Sequence, residues 1–157
     1  MRFGATEILL IFTLCAGVVV LFVFYLKNLQ DLLKECDPNN RQVPPGNVWL
    51  MFIPFFNYVY GFILYTKISE TLKREFEHRN APQSGDYLKT LGIVLPSLNA
   101  FGALPIPMPL IKGVVGLGSL TVFIMYWVQS ANMKNKLRSL PKGDGAFVIS
   151  DKPDLLD

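Results

Sequence analysis

The sequence predicts an all-α integral membrane protein, a bundle of four transmembrane helices. Hydrophobic residues make up 51% of the 157 positions and charged residues only 17%, whereas a soluble domain is usually about one quarter charged. The apolar residues also fall into long blocks, and the charged residues lie between these blocks. A chain of this length is expected to form one domain.

The first apolar block covers residues 8–26 and contains no charged residue. Its length of about 19 residues is enough to cross roughly 30 Å of hydrocarbon. A secretory signal peptide is the alternative, but the block is longer than a usual signal core and no A-x-A-like cleavage site follows it. Residues 27–35 then keep Leu29, Leu32 and Leu33 on one helical face. We therefore predict a transmembrane helix that continues into the interface.

The second block covers residues 48–65 and is rich in aromatic residues, which lie at both of its ends as in an interfacial belt. It follows a predicted loop at residues 37–47, where prolines and a glycine stop any helix. Helical periodicity continues beyond the block. We predict one long helix over residues 48–77, kinked at Pro54, whose last turns extend into the cytoplasm.

The third block, residues 88–104, is the least regular because Pro96 interrupts it and the string PIPMP follows it. The fourth block is apolar over residues 110–128 and continues as a polar helix into the cytoplasm. Residues 1–139 would thus form the four-helix transmembrane domain, with kinks at the prolines of the second and third helices. Residues 140–157 are predicted to be a flexible C-terminal tail.

Two other architectures fit the sequence poorly. A transmembrane β-barrel requires short segments that alternate between apolar and polar residues, and these blocks are too long and do not alternate. A soluble helical bundle requires helices with a polar face, which the first and fourth blocks lack.

The distribution of Lys and Arg predicts the orientation. With four spans, the N-terminus, the second loop and the C-terminus share one side. Counted up to residue 142, this side carries ten of these residues against four on the other side. The positive-inside rule then places both termini in the cytoplasm. If the third block were instead a re-entrant pair of half-helices, the C-terminus would lie on the opposite side.

No pattern in the sequence predicts catalysis, a metal site or a cofactor. No Asp, Glu or His lies in the middle of a span, although such residues mark most functional sites in membranes. His78 has acidic neighbours but lacks the spacing of metal ligands, which is typical of a surface residue. Nucleotide-binding, hydrolase and zinc motifs are absent from the sequence. Cys15 and Cys36 are expected to be free thiols, and the small net charge of +3 does not indicate nucleic-acid binding.

One short pattern recurs in the second and third spans. Residues 53–57 and 95–99 both read apolar, proline, any residue, apolar, asparagine. Each proline frees a backbone carbonyl four residues earlier, at Leu50 and Gly92. An asparagine on a neighbouring helix is a suitable donor to such a carbonyl.

Two interpretations of this pattern stay open. The favoured one is two kinked helices joined through their asparagines. The other is a polar site at the membrane midplane, of the kind that broken helices form in transporters. The candidate ligand-binding or pore-lining residues are Asn57, Asn99, Pro54, Pro96, Tyr58 and Tyr60.

Small residues recur at a spacing of three on the fourth span, at Gly113, Gly116 and Ser119. Small side chains allow helices in membranes to approach closely. We predict a helix-packing face here, within the chain or, as the alternative, between copies of the chain.

Three strings carry a resemblance to a known family. They are NRQVPPGNVWL at residues 40–50, IPFFNYVYGFIL at 53–64 and MYWVQSANMKNKL at 125–137. Together they resemble a family of small bacterial multi-pass membrane proteins that carry a domain of unknown function, over residues 26–137. The NR-x-x-PPG-x-VW-L string is the most specific part. The resemblance implies a location in the bacterial inner membrane and transfers no catalytic residue.

These observations predict a non-catalytic integral membrane protein. It would act as a structural or accessory subunit that packs against itself or against partner proteins within the lipid bilayer. The alternative is a small oligomeric channel or transporter with a polar midplane site around Asn57 and Asn99.

Overall fold

The computed structural model describes residues 4–105 and 107–142, and most of the predicted tail lies outside these residues. The described chain is all helical, which confirms the predicted class. Its elements are α1 (Ala5–Glu35), a 3₁₀ helix (Pro45–Phe52), α2 (Phe56–His78), α3 (Lys89–Ala103) and α4 (Pro109–Ser139).

Two of these helices, α1 and α4, are long and apolar enough to cross a membrane by length and composition. Each has 31 residues, and only 6% of its most apolar stretch is buried within the chain. The structure does not support the four transmembrane helices of the prediction. The second predicted span is not one helix, and α3 has 15 residues, a length of about 22 Å against roughly 30 Å of hydrocarbon.

The prediction of one helix over residues 48–77 is wrong. The chain forms a 3₁₀ helix, breaks at Pro54, and begins α2 only at Phe56. Pro54 cannot donate a backbone hydrogen bond, and Phe55 has a φ of 64°, which lies in the left-handed region. The chain therefore turns at this point instead of bending slightly within a helix.

The 3₁₀ helix and α2 form a hairpin against α1. The indole Nε1 of Trp49 donates to Gln30 Oε1 at 3.3 Å, and the ring of Phe52 lies 5.2 Å from that of Phe22. The 3₁₀ helix thus runs antiparallel to α1. The turn after Phe52 then sends α2 back in the direction of α1.

Helices α1, α2 and α4 run parallel to one another. The hydroxyl of Tyr25 in α1 donates to that of Tyr65 in α2 at 3.0 Å. Asn28 Nδ2 in α1 donates to Ser130 Oγ in α4 at 2.9 Å. About two turns further along both helices, Arg138 Nε in α4 donates to Glu35 Oε1 in α1 at 2.7 Å. α3 runs in the opposite direction and packs on α2 and α4.

The C-terminal ends of α1, α2 and α4 consequently meet at one pole of the bundle. We call it the basic pole, because the described Lys and Arg residues lie in the half of the bundle nearer to it, with the exception of Lys112. The start of α1 and the turn between α3 and α4 form the opposite, apolar pole. The four-span prediction put both termini on one side, but the first and last described helical ends lie at opposite poles. The physical reason is the hairpin. The 3₁₀ helix and α2 together return the chain to the basic pole, so they add no net crossing of the bundle.

The buried core is concentrated toward the basic pole. It is built by the second half of α1, most of α2, the 3₁₀ helix and the second half of α4. Its largest fully buried side chains include Tyr25, Tyr126, Phe76, Leu29 and Ile68. In contrast, every residue of α1 from position 5 to position 21 is exposed.

A buried ion pair joins the helix ends at the basic pole. Arg79 and Glu75 are 4% and 1% exposed, and their charged groups lie 2.7 Å apart. The same guanidinium donates to the carbonyls of Glu35 and Leu137, each at 2.7 Å. Arg79 therefore caps the C-terminal ends of α1 and α4 at once, where helix dipoles favour a positive charge.

The loop after α1 completes this network. The second carboxylate oxygen of Glu75 accepts from the Asp37 backbone N–H at 2.8 Å and from Asn40 Nδ2 at 2.9 Å. Arg41 donates to the carbonyls of Lys34 and Cys36. The first two residues of the NR-x-x-PPG string thus fix the loop to α2 and cap α1.

The closest helix contacts occur at two glycines outside the predicted packing face. A Cβ atom at Gly92 would lie 2.8 Å from Tyr65 Cβ, and one at Gly61 would lie 3.3 Å from Pro96 Cβ. At Gly113 and Gly116, a Cβ would meet no described atom within 4 Å. Small residues thus set the separation between α2 and α3. In the stripe on α4, the two glycines do not contact another helix tightly within the described chain, whereas Ser119 donates a hydrogen bond to Asn99 of α3.

We expect Arg79→Met to lower the free energy of unfolding by about 3–5 kcal/mol, because it leaves the Glu75 carboxylate buried without its cation. Thermal unfolding in detergent measures this loss. Arg74→Met is the matched control, since Arg74 lies on the same helix but is exposed. Equal melting temperatures for the two variants would contradict the assigned role of Arg79.

We expect Gly92→Ala to lower the free energy of unfolding by about 1–3 kcal/mol, because the added methyl group must displace Tyr65 in a packed contact. Gly118→Ala is the control, since a Cβ there meets no described atom within 4 Å, and alanine favours helix. Denaturant titration of both variants tests the difference. A Gly92 variant as stable as the Gly118 variant would rule out a tight contact.

Candidate functional site

A cavity with polar lining residues lies between α2, α3 and α4, on the apolar side of the buried core. Its volume is about 450 Å³, which is within the usual range of ligand sites. Phe22 of α1 and Met51 of the 3₁₀ helix also line it. The hairpin turn at Pro54 therefore limits the depth of the cavity, because the 3₁₀ helix ends and α2 begins there, before the apolar pole is reached.

Six of the side chains that line this cavity carry polar groups: Asn57, Tyr58, Tyr65, Asn99, Lys112 and Ser119. Asn99 Oδ1 accepts a hydrogen bond of 2.6 Å from Ser119 Oγ. Asn57 Oδ1 is buried and has no hydrogen-bond partner among the described residues. A buried acceptor without a partner costs free energy, so the cavity contains one unsatisfied polar group.

The structure brings several of the predicted site residues together. Asn57, Tyr58, Pro96 and Asn99 all line the cavity, although they come from two separate helices. Two residues of the proposed packing face, Gly116 and Ser119, line it as well.

The other predicted residues lie elsewhere. Pro54 is in the turn before α2, and Gly113 is outside the cavity lining. The hydroxyl of Tyr60 donates to the carbonyl of Asn47 at 3.1 Å, which ties α2 to the 3₁₀ helix.

The expected bond between an asparagine and a freed carbonyl is not formed at Leu50. That carbonyl accepts instead from the Ile53 N–H at 3.1 Å. The 3₁₀ helix makes this local bond possible, because its hydrogen bonds join residues three apart rather than four.

Aromatic side chains close the cavity toward the basic pole. The Tyr65 ring, which lines the cavity, lies 4.8 Å from the ring of Tyr126. Phe123, another lining residue, lies 4.6 Å from the ring of Tyr25. Tyr25 and Tyr126 are fully buried. The cavity is therefore a blind recess within one chain, and it does not continue through the core.

Sequence reasoning missed Lys112, Phe22 and Tyr65 as lining residues. It interpreted Lys112 only as a charge at the end of a span and Tyr65 as part of an interfacial belt. A helical spacing was the available signal: Lys112, Gly116, Ser119 and Phe123 lie on one face of α4. Without the hairpin geometry, however, nothing indicated what this face would meet.

A second, smaller cavity of about 190 Å³ lies at the basic pole beside Cys36. Burial, and secondly the charge of Glu75, raise the pKa of the Cys36 thiol to about 12. Its Sγ donates to the Leu32 carbonyl at 3.5 Å. The thiol is thus protonated at neutral pH and is not an activated nucleophile.

Asp86 precedes α3 outside the apolar segments and caps it. Its carboxylate accepts from the Thr90 backbone N–H at 2.7 Å. This hydrogen bonding to Thr90 holds the pKa of Asp86 below its usual value. The carboxylate therefore stabilises the helix start and stays ionised at neutral pH.

Within residues 4–105 and 107–142, no group of three His, Cys, Asp or Glu side chains is placed to hold a metal ion. Both cysteines are free in this part of the chain, Cys15 exposed and Cys36 buried. They lie on and just after one helix, so about 30 Å separates them.

Comparison with protein-family models, with curated protein sequences and with solved structures finds no match to this chain.

We expect Cys36 to resist maleimide at pH 8 in the folded protein and to react once the protein is denatured. The raised pKa and the burial of the thiol are the physical reasons. A Cys15→Ser background isolates its signal, and the modified fraction is measured by mass spectrometry. Rapid modification of Cys36 in the folded protein would show that the loop after α1 does not stay packed on α2.

Proposed function

We propose that this chain is a non-catalytic membrane subunit that acts by packing its N-terminal helix against other membrane helices. The observation that carries the proposal is the exposed half of α1. Residues 5–21 are exposed at every position and almost entirely apolar. Such a surface is stable only against lipid or against another apolar helix.

The hydroxyl group in the middle of this half is satisfied within the helix. Thr13 donates its hydroxyl to the Leu9 carbonyl within the helix at 2.9 Å. All other backbone groups in the helix interior bond along the helix, as hydrocarbon requires. This half of α1 is therefore suited to the bilayer in its chemistry as well as in its length.

We propose three crossings, by α1, by α4 and by α3, whose 15 residues need the linking residues after Ala103 to complete the crossing. The 3₁₀ helix and α2 form a hairpin that enters and leaves from the basic pole. The proposal is supported by the parallel course of α1 and α4, since a chain that crosses twice in one direction must cross back between. The basic pole would face the cytoplasm by the positive-inside rule. The N-terminus would then lie outside and the C-terminus inside.

The proposed membrane is the bacterial inner membrane, within the multi-pass family that the NR-x-x-PPG-x-VW-L string resembles. The contacts of Asn40 and Arg41 give the most specific part of the string a structural role. The basic pole also offers charged helix ends for contacts with cytoplasmic or juxtamembrane partners.

Affinity purification in mild detergent tests the packing function. We expect the full chain to elute with a partner or as an oligomer. Replacing residues 8–21 with a leucine–alanine helix of equal length should keep membrane insertion but remove the association, because length and polarity stay the same while the contact surface changes. A native chain that elutes only as a monomer without partners would contradict the proposal.

Labelling of single cysteines with a membrane-impermeant maleimide tests the topology. In a Cys15→Ser, Cys36→Ser background, we expect Gly4→Cys to react in intact spheroplasts and Lys142→Cys to react only after permeabilisation. The two positions lie at opposite poles of the bundle. Equal reactivity of both cysteines from one side of the membrane would instead indicate an even number of crossings.

A small oligomeric channel or transporter is the second candidate, and the cavity at Asn57 and Asn99 favours it. Because aromatic residues close this cavity within one chain, transport would require an oligomer or a second conformation. Flux measured in liposomes tests it. Unaltered flux in an Asn57→Leu, Asn99→Leu variant would exclude the asparagines from the path.

A further inference from the structure

We propose that the cavity between α2, α3 and α4 binds an anionic membrane amphiphile, with its acidic head group at Lys112 and its chain toward the lipid. The inference rests on the proposed membrane placement and goes beyond it, because it assigns a ligand class to the cavity. Such binding also differs from transport through a channel, because the ligand enters the cavity from the bilayer and returns to the bilayer.

An occupant of the cavity is indicated by its size and by Asn57. The volume of about 450 Å³ corresponds to roughly fifteen water molecules. Asn57 Oδ1 is a buried acceptor that no described group satisfies. Buried polar groups are nearly always paired, so a hydroxyl or amide donor of a bound molecule fits this position.

The charge of the occupant follows from Lys112. It is the only described Lys or Arg at the apolar pole, and it forms no ion pair with a described acid. Among the described acids, Glu7 lies nearest to this pole, and its carboxylate accepts from the Gly4 N–H at the start of α1. An ammonium group at the edge of hydrocarbon is stabilised by a counter-charge, and an anionic head group supplies one.

The amphiphilic character follows from the walls. Beside the polar residues, the lining contains Leu95, Val115 and Phe123. The face of α4 that packs on α1 near Tyr25 continues along the helix to the cavity. From Phe22 toward the apolar pole, α1 no longer covers this face of α4, since residues 5–21 of α1 are exposed. An alkyl chain can therefore leave the cavity between the apolar surfaces of α1 and α4.

Binding of radiolabelled dodecyl phosphate to the full chain in dodecyl maltoside micelles tests the proposal. We expect saturable binding of one molecule per chain, with zwitterionic dodecylphosphocholine a weaker competitor. Lys112→Gln should remove the preference for the anionic probe. Asn57→Leu should weaken binding, because the protonated oxygen of the phosphate head group can no longer donate to Asn57 Oδ1. It should leave the fold intact, because it replaces an unsatisfied group by an apolar one of similar size.

Gly116→Leu and Gly118→Leu form a matched pair. At both glycines a Cβ meets no described atom within 4 Å, so both variants should fold, but only Gly116 lines the cavity. We expect Gly116→Leu to weaken dodecyl phosphate binding by at least about tenfold, or about 1.4 kcal/mol. Gly118→Leu should bind as the native chain does. Protection of Cys36 from maleimide shows that each variant is folded.

Equal binding by the two leucine variants would overturn the proposal. So would a Gly116→Leu variant that binds the probe normally but loses a dimer, because the cavity would then be a helix-packing site. Extraction of native membranes with alkaline carbonate separates this failure from that of the proposed function. A chain that stays in the membrane but does not bind dodecyl phosphate refutes the cavity ligand alone, and a chain that is extracted refutes the membrane placement.

Discussion

The Glu75–Arg79 ion pair is the interaction on which the rest of the structure depends. It lies where α1, α2 and α4 end, and the four polar groups that surround it come from two helices, α1 and α4, and one loop. Removing water from two charges is costly, and only a complete set of partners offsets that cost. The pair therefore holds the parallel helix ends in one arrangement. Packing of apolar side chains alone would permit several arrangements.

The break at Pro54 is the second constraint, and it determines where the cavity lies. A proline in the middle of an apolar segment is compatible with a kinked helix or with a turn. Here the positive φ of Phe55 and the local bond to the Leu50 carbonyl make it a turn. The hairpin fills only the half of the bundle near the basic pole. Beyond it, α3 and α4 continue in contact with each other, and the polar recess lies between them and the first turns of α2.

Much of the fold was predictable from local signals. The bounds of α1 and α4, including their polar extensions, follow from helical periodicity and from the prolines at residues 105–109, and α3 was placed within one residue at each end. The site was predictable in part, because the repeated proline–asparagine pattern indicated Asn57, Asn99 and Pro96. The hairpin, the parallel course of the helices and the role of Lys112 were not predictable, since each depends on contacts between distant segments.

The sequence by itself determined that this chain is helical, that two helices have the length and polarity of membrane spans, and that its positive charge is unevenly distributed. These properties depend on local composition and on the hydrogen bonding that hydrocarbon enforces. Only the tertiary structure decided how often the chain reverses and which polar residues meet. A proline removes one donor, but whether the chain kinks or turns there depends on the surfaces available on both sides. At Pro54, those surfaces are α1 and the aromatic core around Tyr25.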